Sequence, residues 1–433
     1  MTGSPLVPYL ESLEAHPATR WSGRVTQLTG NLVESAGPPS TLGECCELRT
    51  SAGETYACEV VGFRGSAVLS MPLEPPRGVR YGDQMVALGV RPAILVGEPL
   101  LGRVIDGAGR PLDGETAFCG GVRRSLENPA RGALERQPIR EPLGCGIRAI
   151  DGFLTCGRGQ RLGIFGGSGV GKSTLIGMMA RGTSADLTVL ALVGERGREV
   201  GEFLEALGAD GRARSVVVVS TSDQSPLLRI RAALAATAIA EYFCQHGKHV
   251  LLVIDSLTRF AMAQREVGLA AGEPPTAKAY TPSVFSMLAR LVERAGNFAG
   301  GSITAFYTVL MEGDDQQDPL VDAVRSLVDG HIVLDRRLAS RGHYPPIGVL
   351  DSLSRLMPAV ASPGHLANAY RLRSLIAAYA RSEDLVRIGA YSPGTDPELD
   401  RAIATIPKLE KFLRQPAEER AGFEEAVAGM AAL

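Results

Sequence analysis

A glycine-rich segment that ends in lysine and serine carries the clearest chemical pattern in the sequence. It starts at Gly166, and Gly171, Lys172 and Ser173 close it in the order G-x4-G-K-S. Such glycines let backbone N–H groups turn inward around phosphate oxygens, and the start of a following helix adds partial positive charge. An apolar run before the segment and a helical pattern after it supply the context that the motif requires. The segment therefore predicts a phosphate-binding loop.

We expect ATP and Mg²⁺ as the ligands of this loop. Lys172 would neutralise the β- and γ-phosphates, and the hydroxyl of Ser173 would ligate Mg²⁺. The predicted nucleotide-binding residues of the loop are Gly166, Gly167, Ser168, Gly169, Val170, Gly171, Lys172, Ser173 and Thr174.

Two carboxylates follow apolar strand-like runs further along the chain. Asp255 ends the run His249–Asp255, and Glu195 follows the run Leu187–Val193. In an open parallel sheet, ligands bind outside the carboxyl ends of the strands, so both acids can lie beside the phosphate loop. Asp255 would hold Mg²⁺ or orient its water shell, and Glu195 would position the attacking water and accept its proton. Taken singly, each also fits an ordinary strand-terminal or surface carboxylate.

Strand-like and helical runs alternate between about Gly144 and Met357. The predicted strands are Arg161–Phe165, Leu187–Val193, Ser215–Ser220, His249–Asp255, Ile303–Val309 and His331–Asp335. The helical patterns between them include Lys172–Arg181, Ser225–Cys244 and Ser283–Arg294. Continuous apolar strands that alternate with helices predict an α/β fold with a parallel sheet covered on both faces.

The flanking regions have different patterns and predict separate domains. Short β-rich pieces between Gly, Pro and Ser run from Trp21 to about Leu88 and predict a small closed barrel. The Gly- and Pro-rich stretch Gly97–Glu141 is interpreted as a connection wrapped on the next domain, and the chain after Pro358 is helical in pattern. The predicted boundaries are 1–20 for a docking helix, 21–90 for the barrel, 91–357 for the nucleotide-binding domain and 358–433 for a helical domain.

The overall composition limits the partners and the compartment. The 433 residues are 45% hydrophobic and carry a formal charge of -2, so no excess of positive charge predicts a nucleic-acid partner. No apolar run approaches the roughly eighteen residues of a membrane span, and the N-terminus lacks the basic start of a signal peptide. We therefore expect a cytoplasmic protein without a nucleic-acid partner.

Six longer blocks resemble the flagellar and type III protein-export ATPases, a family related to the catalytic subunit of rotary ATP synthases. The blocks are Gly166–Thr174, Gly194–Val200, Leu252–Arg265, Gly268–Thr276, Gly301–Asp315 and Arg325–Leu334. The resemblance extends from about Trp21 to Gln415. It implies a β-barrel, a RecA-like nucleotide domain and a helical C-terminal domain, in a homohexamer with active sites between subunits.

The resemblance also implies roles for individual residues. Glu195 matches the catalytic carboxylate of the family, and Arg196 matches the neighbouring arginine near the γ-phosphate. Tyr344 lies in the segment whose tyrosine stacks on adenine. Arg355 matches the arginine that reaches the nucleotide of the neighbouring subunit as a finger. A half-buried core tyrosine and a solvated surface arginine are the ordinary alternatives for the last two.

The partners that the resemblance implies belong to an export apparatus at the inner membrane. They are a stator-like regulator, a central-stalk protein, an export-gate membrane protein, and export substrates with their chaperones. The N-terminal stripe of Leu6, Leu10 and Leu13 is too short to form a stable helix alone, so we expect it to dock on the regulator or on the chain's own barrel.

This chain departs from the usual family pattern at a few positions. It has Ala279 and Thr281 where the family commonly reads Gly-Tyr-Pro-Pro, Ala289 where it commonly reads Leu-Pro-Arg, and Gly348 where an Asp is common. The first three lie in a region that faces the central channel in the family. They put the contact with a central stalk in question and leave the phosphate chemistry untouched.

Other functions fit parts of the pattern. A non-catalytic ring subunit usually lacks a carboxylate after Gly194, whereas Glu195 is present. The β subunit of ATP synthase usually differs in its phosphate loop, and an RNA translocase needs an aromatic, basic stacking surface on its barrel. Within the export family, the segments Asp322–Arg325 and Ile388–Tyr391 favour the flagellar branch over the injectisome branch.

Overall fold

The computed structural model describes residues 20–118, 120–311, 313, 315 and 317–433. The predicted N-terminal docking helix lies outside these residues. Among the described residues, no helix combines the length and the apolar character needed to span a bilayer.

The first part of the described chain is a closed β-barrel of six antiparallel strands. Its strands are β1 (Ser22–Thr29), β2 (Leu32–Ala36), β3 (Cys45–Arg49), β4 (Thr55–Arg64), β5 (Ala67–Pro72) and β6 (Gln84–Ala87). They pair in the order β1-β2-β5-β4-β3-β6, and β6 closes on β1. Alternate side chains of these strands point inward, and Val33 and Leu48 are fully buried in the barrel interior.

The connection after the barrel adds strands that the sequence pattern did not indicate. Strand β7 (Ala93–Val96) pairs with β9 (Val122–Ser125), and β8 (Val104–Asp106) joins the edge of the central sheet beside Val217–Val219. Through β8, part of the predicted connecting stretch Gly97–Glu141 joins the sheet of the nucleotide-binding domain. A strand of three residues is too short to show a period, so only its pairing reveals it.

The central sheet has nine strands, and seven of them run parallel. Apart from β8, its strands are β12 (Arg161–Gly166), β13 (Leu187–Glu195), β14 (Ser215–Thr221), β15 (His249–Asp255), β16 (Gly296–Phe298), β17 (Gly301–Leu310), β18 (Gly330–Val333) and β19 (Leu353–Ser354). The order is β19-β18-β12-β17-β15-β13-β14-β8, with β16 paired to β17. A separate short ribbon pairs β10 (Pro142–Leu143) with β11 (Cys156–Gly157).

Helices cover both faces of this sheet and form the C-terminal part. They are α1 (Arg148–Phe153), α2 (Lys172–Gly182), α3 (Gly197–Ala213), α4 (Pro226–Gln245), α5 (Leu257–Ala271), α6 (Pro282–Val292), α7 (Pro319–Leu327), α8 (Arg336–Ser340), α9 (Met357–Val360), α10 (Pro363–Arg387), α11 (Pro397–Leu413) and α12 (Phe423–Ala431). Two large apolar clusters lie on the two faces of the sheet, and one of them continues into α10, α11 and α12. The predicted fold class is confirmed.

Candidate active site

The phosphate loop joins the end of β12 to the start of α2. Gly169 and Gly171 have φ angles of +75° and +96°, in the left-handed region that side chains other than glycine adopt only with strain. Lys172, the first residue of α2, is buried, and its ammonium group donates to the carbonyls of Gly166 (3.1 Å) and Gly167 (2.9 Å). The lysine is thus held along the inner side of the loop.

Asp255 lies at the carboxyl end of β15, which is separated from β12 by β17 alone. Its side chain is buried, and the hydroxyl of Thr308 on β17 donates to its Oδ1 at 2.6 Å. Burial raises the pKa of Asp255, while Thr308, Lys172 and Arg259 act in the opposite direction. The carboxylate therefore lies within electrostatic reach of the loop lysine.

Glu195 is the last residue of β13, the next strand beyond β15. Burial raises the pKa of Glu195 to about 8, and the charge of Asp255 and a hydrogen bond with Glu199 add to the rise. Burial also lowers the pKa of Lys172, against the attraction of Asp255 and Glu195. Lys172, Asp255 and Glu195, which are up to 83 residues apart in the chain, thus meet at one edge of the sheet.

Sequence reasoning missed two groups in this cluster, Thr308 and Arg259. Thr308 orients Asp255, and the positive charge of Arg259 on α5 opposes the rise in the pKa of both Glu195 and Asp255. Their positions in the sequence could have indicated them. Thr308 lies near the carboxyl end of a predicted strand, and Arg259 follows Asp255 by one helical turn. Only the pairing of β15 with β17 shows which side chains meet.

Tyr344 lies beside the phosphate loop. A Cβ atom added to Gly171 would be 3.7 Å from its Cε1, and the side chain is about half exposed. A cavity of about 370 Å³ opens along one side of α2, from Thr174 to Arg181. The cavity is lined by Thr174, Arg181, Glu205, Ala206, Ala417, Glu418 and Arg420. Of these residues only Thr174 was predicted, because Arg181 lies further along α2 and the others come from α3 and from a segment more than 200 residues downstream.

Two predicted residues lie apart from this cluster. The Arg196 side chain is 74% exposed, and its nearest carboxylate is that of Glu199 at 3.7 Å. Arg355 is exposed and follows β19, and its backbone N–H donates to Asp329, whose own N–H donates to Arg161 at the start of β12. Arg355 is thus connected to the start of β12, whereas the phosphate loop follows the end of this strand. At about 3.3 Å per residue the two ends of β12 are roughly 17 Å apart.

Comparison with known proteins places these features in a family. The family model "ATP synthase alpha/beta family, nucleotide-binding domain" matches residues 146–354, and "T3SS EscN ATPase C-terminal domain" matches residues 361–432. The flagellum-specific ATP synthase of Bacillus subtilis (strain 168) is 49% identical over 98% of each chain. The chain belongs to the flagellum-specific and type 3 secretion ATPase family. The matched nucleotide-binding domain contains the phosphate loop, both carboxylates and Tyr344, and it ends one residue before Arg355.

Both branches of the family are similar to this chain. The SPI-2 type 3 secretion system ATPase of Salmonella typhimurium (strain LT2) is 51% identical over 94% of this chain and 93% of its own length. Among solved structures, the assembled ATPase EscN in complex with its central stalk EscO, from the enteropathogenic E. coli type III secretion system, matches with a TM-score of 0.87. It is 44% identical over 94% of this chain and 98% of its own. The expected family is therefore confirmed, and the two branches are not separated by identity.

Proposed function

We propose that this protein hydrolyses ATP in a ring of six copies and thereby energises protein export through a flagellar type III apparatus. The observation that supports this most directly is the meeting of Lys172, Asp255 and Glu195 at one edge of the sheet, beside a glycine loop. Such an arrangement supplies the charge, the oxygen ligands and the base that phosphoryl transfer to water requires.

The residues fit a nucleotide with Mg²⁺. Ser173 offers an exposed hydroxyl and Asp255 a carboxylate, and both are oxygen donors of the kind that Mg²⁺ prefers alongside phosphate and water. Mg²⁺ would neutralise charge on the phosphates. Lys172 would turn from the loop carbonyls to the β- and γ-phosphates, and Glu195 would orient the attacking water and take its proton.

The nucleoside would extend from the loop toward Tyr344 and the neighbouring cavity. The ring of Tyr344 is exposed enough to stack on a base, and the cavity of about 370 Å³ is lined by polar and small side chains. Thr174, the third residue of α2, would lie between the phosphates and this cavity. This arrangement supports the predicted role of Tyr344.

Completion of the site would come from a neighbouring subunit. Arg355 is too far from its own phosphate loop to contact the same nucleotide, yet it is exposed at the other end of the sheet. A head-to-tail ring would bring that end of one subunit to the loop of the next. Arg196 is exposed at the start of α3 and is free to turn toward the γ-phosphate.

The proposed setting is the cytoplasmic side of an inner-membrane export apparatus. EscN is described in an assembled form with a central stalk, and we propose a stalk, a stator-like regulator, an export gate and chaperoned substrates as partners here. At the proposed stalk-facing loop, Ala279 has a φ of +59°, a conformation that favours the glycine usual in the family. The injectisome role is the alternative, and the 51% identity to the SPI-2 ATPase is the similarity that supports it, although flagellum-specific relatives reach the same identity.

Replacing Glu195 by Gln tests the proposed chemistry. Gln keeps the shape but cannot accept the proton, so we expect turnover to fall by about 10²–10⁴-fold while ATP still binds. Steady-state hydrolysis and nucleotide affinity are measured for Glu195→Gln, and for Glu202→Gln as a matched control on the exposed face of α3. Near-normal turnover in Glu195→Gln would remove this residue from its assigned role.

A further inference from the structure

A buried glutamine that is far from the phosphate loop in the sequence connects the parts that surround the proposed nucleoside site. Gln415 is 2% exposed and follows the end of α11. Its backbone N–H donates to the carbonyl of Tyr344 at 2.9 Å. Its side-chain amide donates to the carbonyls of Gly146 (2.8 Å) and Glu419 (3.0 Å), and its Oε1 accepts from the N–H of Arg148 at 2.9 Å. Every hydrogen-bonding group of this side chain is therefore used.

The segment that contains Gln415, Arg414–Arg420, forms a strap along the wall of the cavity. Ala417 and two charged residues of the strap line the cavity, and the carbonyl of Ala417 accepts from Arg181 of α2 at 2.6 Å. The guanidinium of Arg148 holds the start of the strap, since it donates to the carbonyls of residues 412 and 414 and pairs with Glu419. The strap thus has fixed contacts at both of its ends.

These contacts connect the strap to both ends of the phosphate-loop helix. Gly146, which accepts from Gln415, packs against Gly182 at the end of α2, where an added Cβ would be 2.6 Å from the Gly182 Cα. Tyr344, whose carbonyl accepts from Gln415, lies beside Gly171 at the start of α2. One side chain and its own backbone therefore hold three separate segments in register with this helix.

We propose that Gln415 is a positioning residue that holds Tyr344 and the Arg414–Arg420 strap together as one wall of the nucleoside site. This proposal rests on the proposed function, because it concerns the binding of the base and ribose of the same ATP. Gln415 touches none of the phosphate-loop residues, so it affects nucleoside affinity and leaves the phosphate chemistry unchanged. Since α11 ends at Leu413, the strap also connects nucleotide binding to the C-terminal helices.

Binding measurements on the full chain distinguish the nucleoside site from the phosphate site. ADP contacts both sites, whereas inorganic pyrophosphate contacts only the phosphate site. Gln415→Met keeps the side-chain length and removes its hydrogen bonds with Gly146, Arg148 and Glu419. We expect the Kd for ADP to rise about tenfold, the size of effect that one or two lost hydrogen bonds produce, while the Kd for pyrophosphate stays unchanged. The KM for ATP should rise similarly, with kcat at saturation within about twofold of the unchanged protein.

Two further variants keep the test decisive. Gln264→Met alters another buried glutamine, whose amide joins α5 to α6 and does not line the cavity, and it should leave both Kd values unchanged. Arg148→Lys keeps the charge near Glu419 but loses the paired carbonyl contacts, and it should weaken ADP in the same selective way. The inference would be overturned if Gln415→Met and Arg148→Lys both left the affinity for ADP unchanged. It would also be overturned if they weakened ADP and pyrophosphate equally. An unchanged protein that binds pyrophosphate but not ADP would instead overturn the proposed function.

Discussion

At the scale of residues, the protonation of Glu195 depends on a small set of neighbours. Burial, the charge of Asp255 and a hydrogen bond with Glu199 raise its pKa to about 8, and Arg259 opposes them. A base must be deprotonated to accept a proton, so a raised pKa makes activity fall as the pH drops below that value. A cation held beside Asp255 favours the carboxylate form and lowers the pKa of Glu195.

The difference in the pKa of Glu195 with and without a cation beside Asp255 predicts two separate pH profiles. The profile of kcat/KM reports the free protein, so we expect its acid limb near pH 8, while the limb of kcat lies at lower pH. Glu199→Gln removes a neighbouring charge and should move the kcat/KM limb to lower pH. Rates are measured with MgATP at fixed free Mg²⁺, with Glu202→Gln as the control. A limb that Glu199→Gln leaves in place would contradict the assignment of Glu195 as the titrating base.

At the scale of elements, the barrel is closed by its own strands and fastened to the core. Arg231 on α4 pairs with Glu59 on β4 at 2.6 Å, and both side chains are largely buried. Ser225, the cap of α4, donates to the carbonyl of Leu73 just after β5 at 2.7 Å. Since β1 begins at Ser22 and pairs with both β2 and β6, the strands that close the barrel all lie within the described residues.

Removal of residues 1–18 should therefore separate catalysis from docking. We expect hydrolysis to stay largely intact, because the barrel and the active site keep their contacts, and co-purification with the stator-like regulator to be lost. Hydrolysis and regulator affinity are measured for the truncated chain. The control is a full-length chain with Glu11→Gln and Glu14→Gln, which alters the segment but keeps the stripe of Leu6, Leu10 and Leu13. Unchanged regulator affinity after truncation would favour packing of the stripe on the chain's own barrel.

At the scale of the whole molecule, the proposed site is incomplete within one subunit. Lys172, Ser173, Glu195 and Asp255 lie at one edge of the sheet, and Arg355 is connected to the start of β12, whose two ends are roughly 17 Å apart by strand rise. An arginine finger supplied from a neighbour accelerates phosphoryl transfer by about 10³–10⁵-fold. Hydrolysis should consequently depend on assembly, and activity per subunit should rise with protein concentration as rings close.

Mixed rings test where Arg355 acts. Arg355→Ala and Glu195→Gln subunits should each be nearly inactive alone, because every interface lacks either the finger or the base. In mixed rings some interfaces pair an intact Glu195 with an intact Arg355 from the neighbour, so part of the activity should return. Arg373→Ala, in an arginine that contacts the carbonyls of residues 350 and 352, serves as a control for loss of structure near Arg355. No recovery on mixing, together with activity independent of concentration, would contradict the finger in trans.

The sequence by itself determined the features that depend on local backbone and short-range pattern. The phosphate loop is local, because Gly169 and Gly171 need positive φ angles and Lys172 begins the next helix within the same segment. The alternation of apolar strands and helices likewise predicted the α/β core, since a strand buried on both faces must be apolar throughout. The roles that the resemblance of longer blocks implies for Tyr344 and Arg355 stay predictions.

Only the tertiary structure decided which distant groups meet. Thr308 reaches Asp255 because β17 pairs with β15, and β8 joins the sheet through three residues that carry no period of their own. In the sequence, Gln415 is an ordinary polar residue after a helix. In the structure, its four hydrogen bonds join segments that are up to 269 residues apart. Such contacts depend on long-range packing, and a local sequence pattern does not predict which distant strand or loop will pack against a residue.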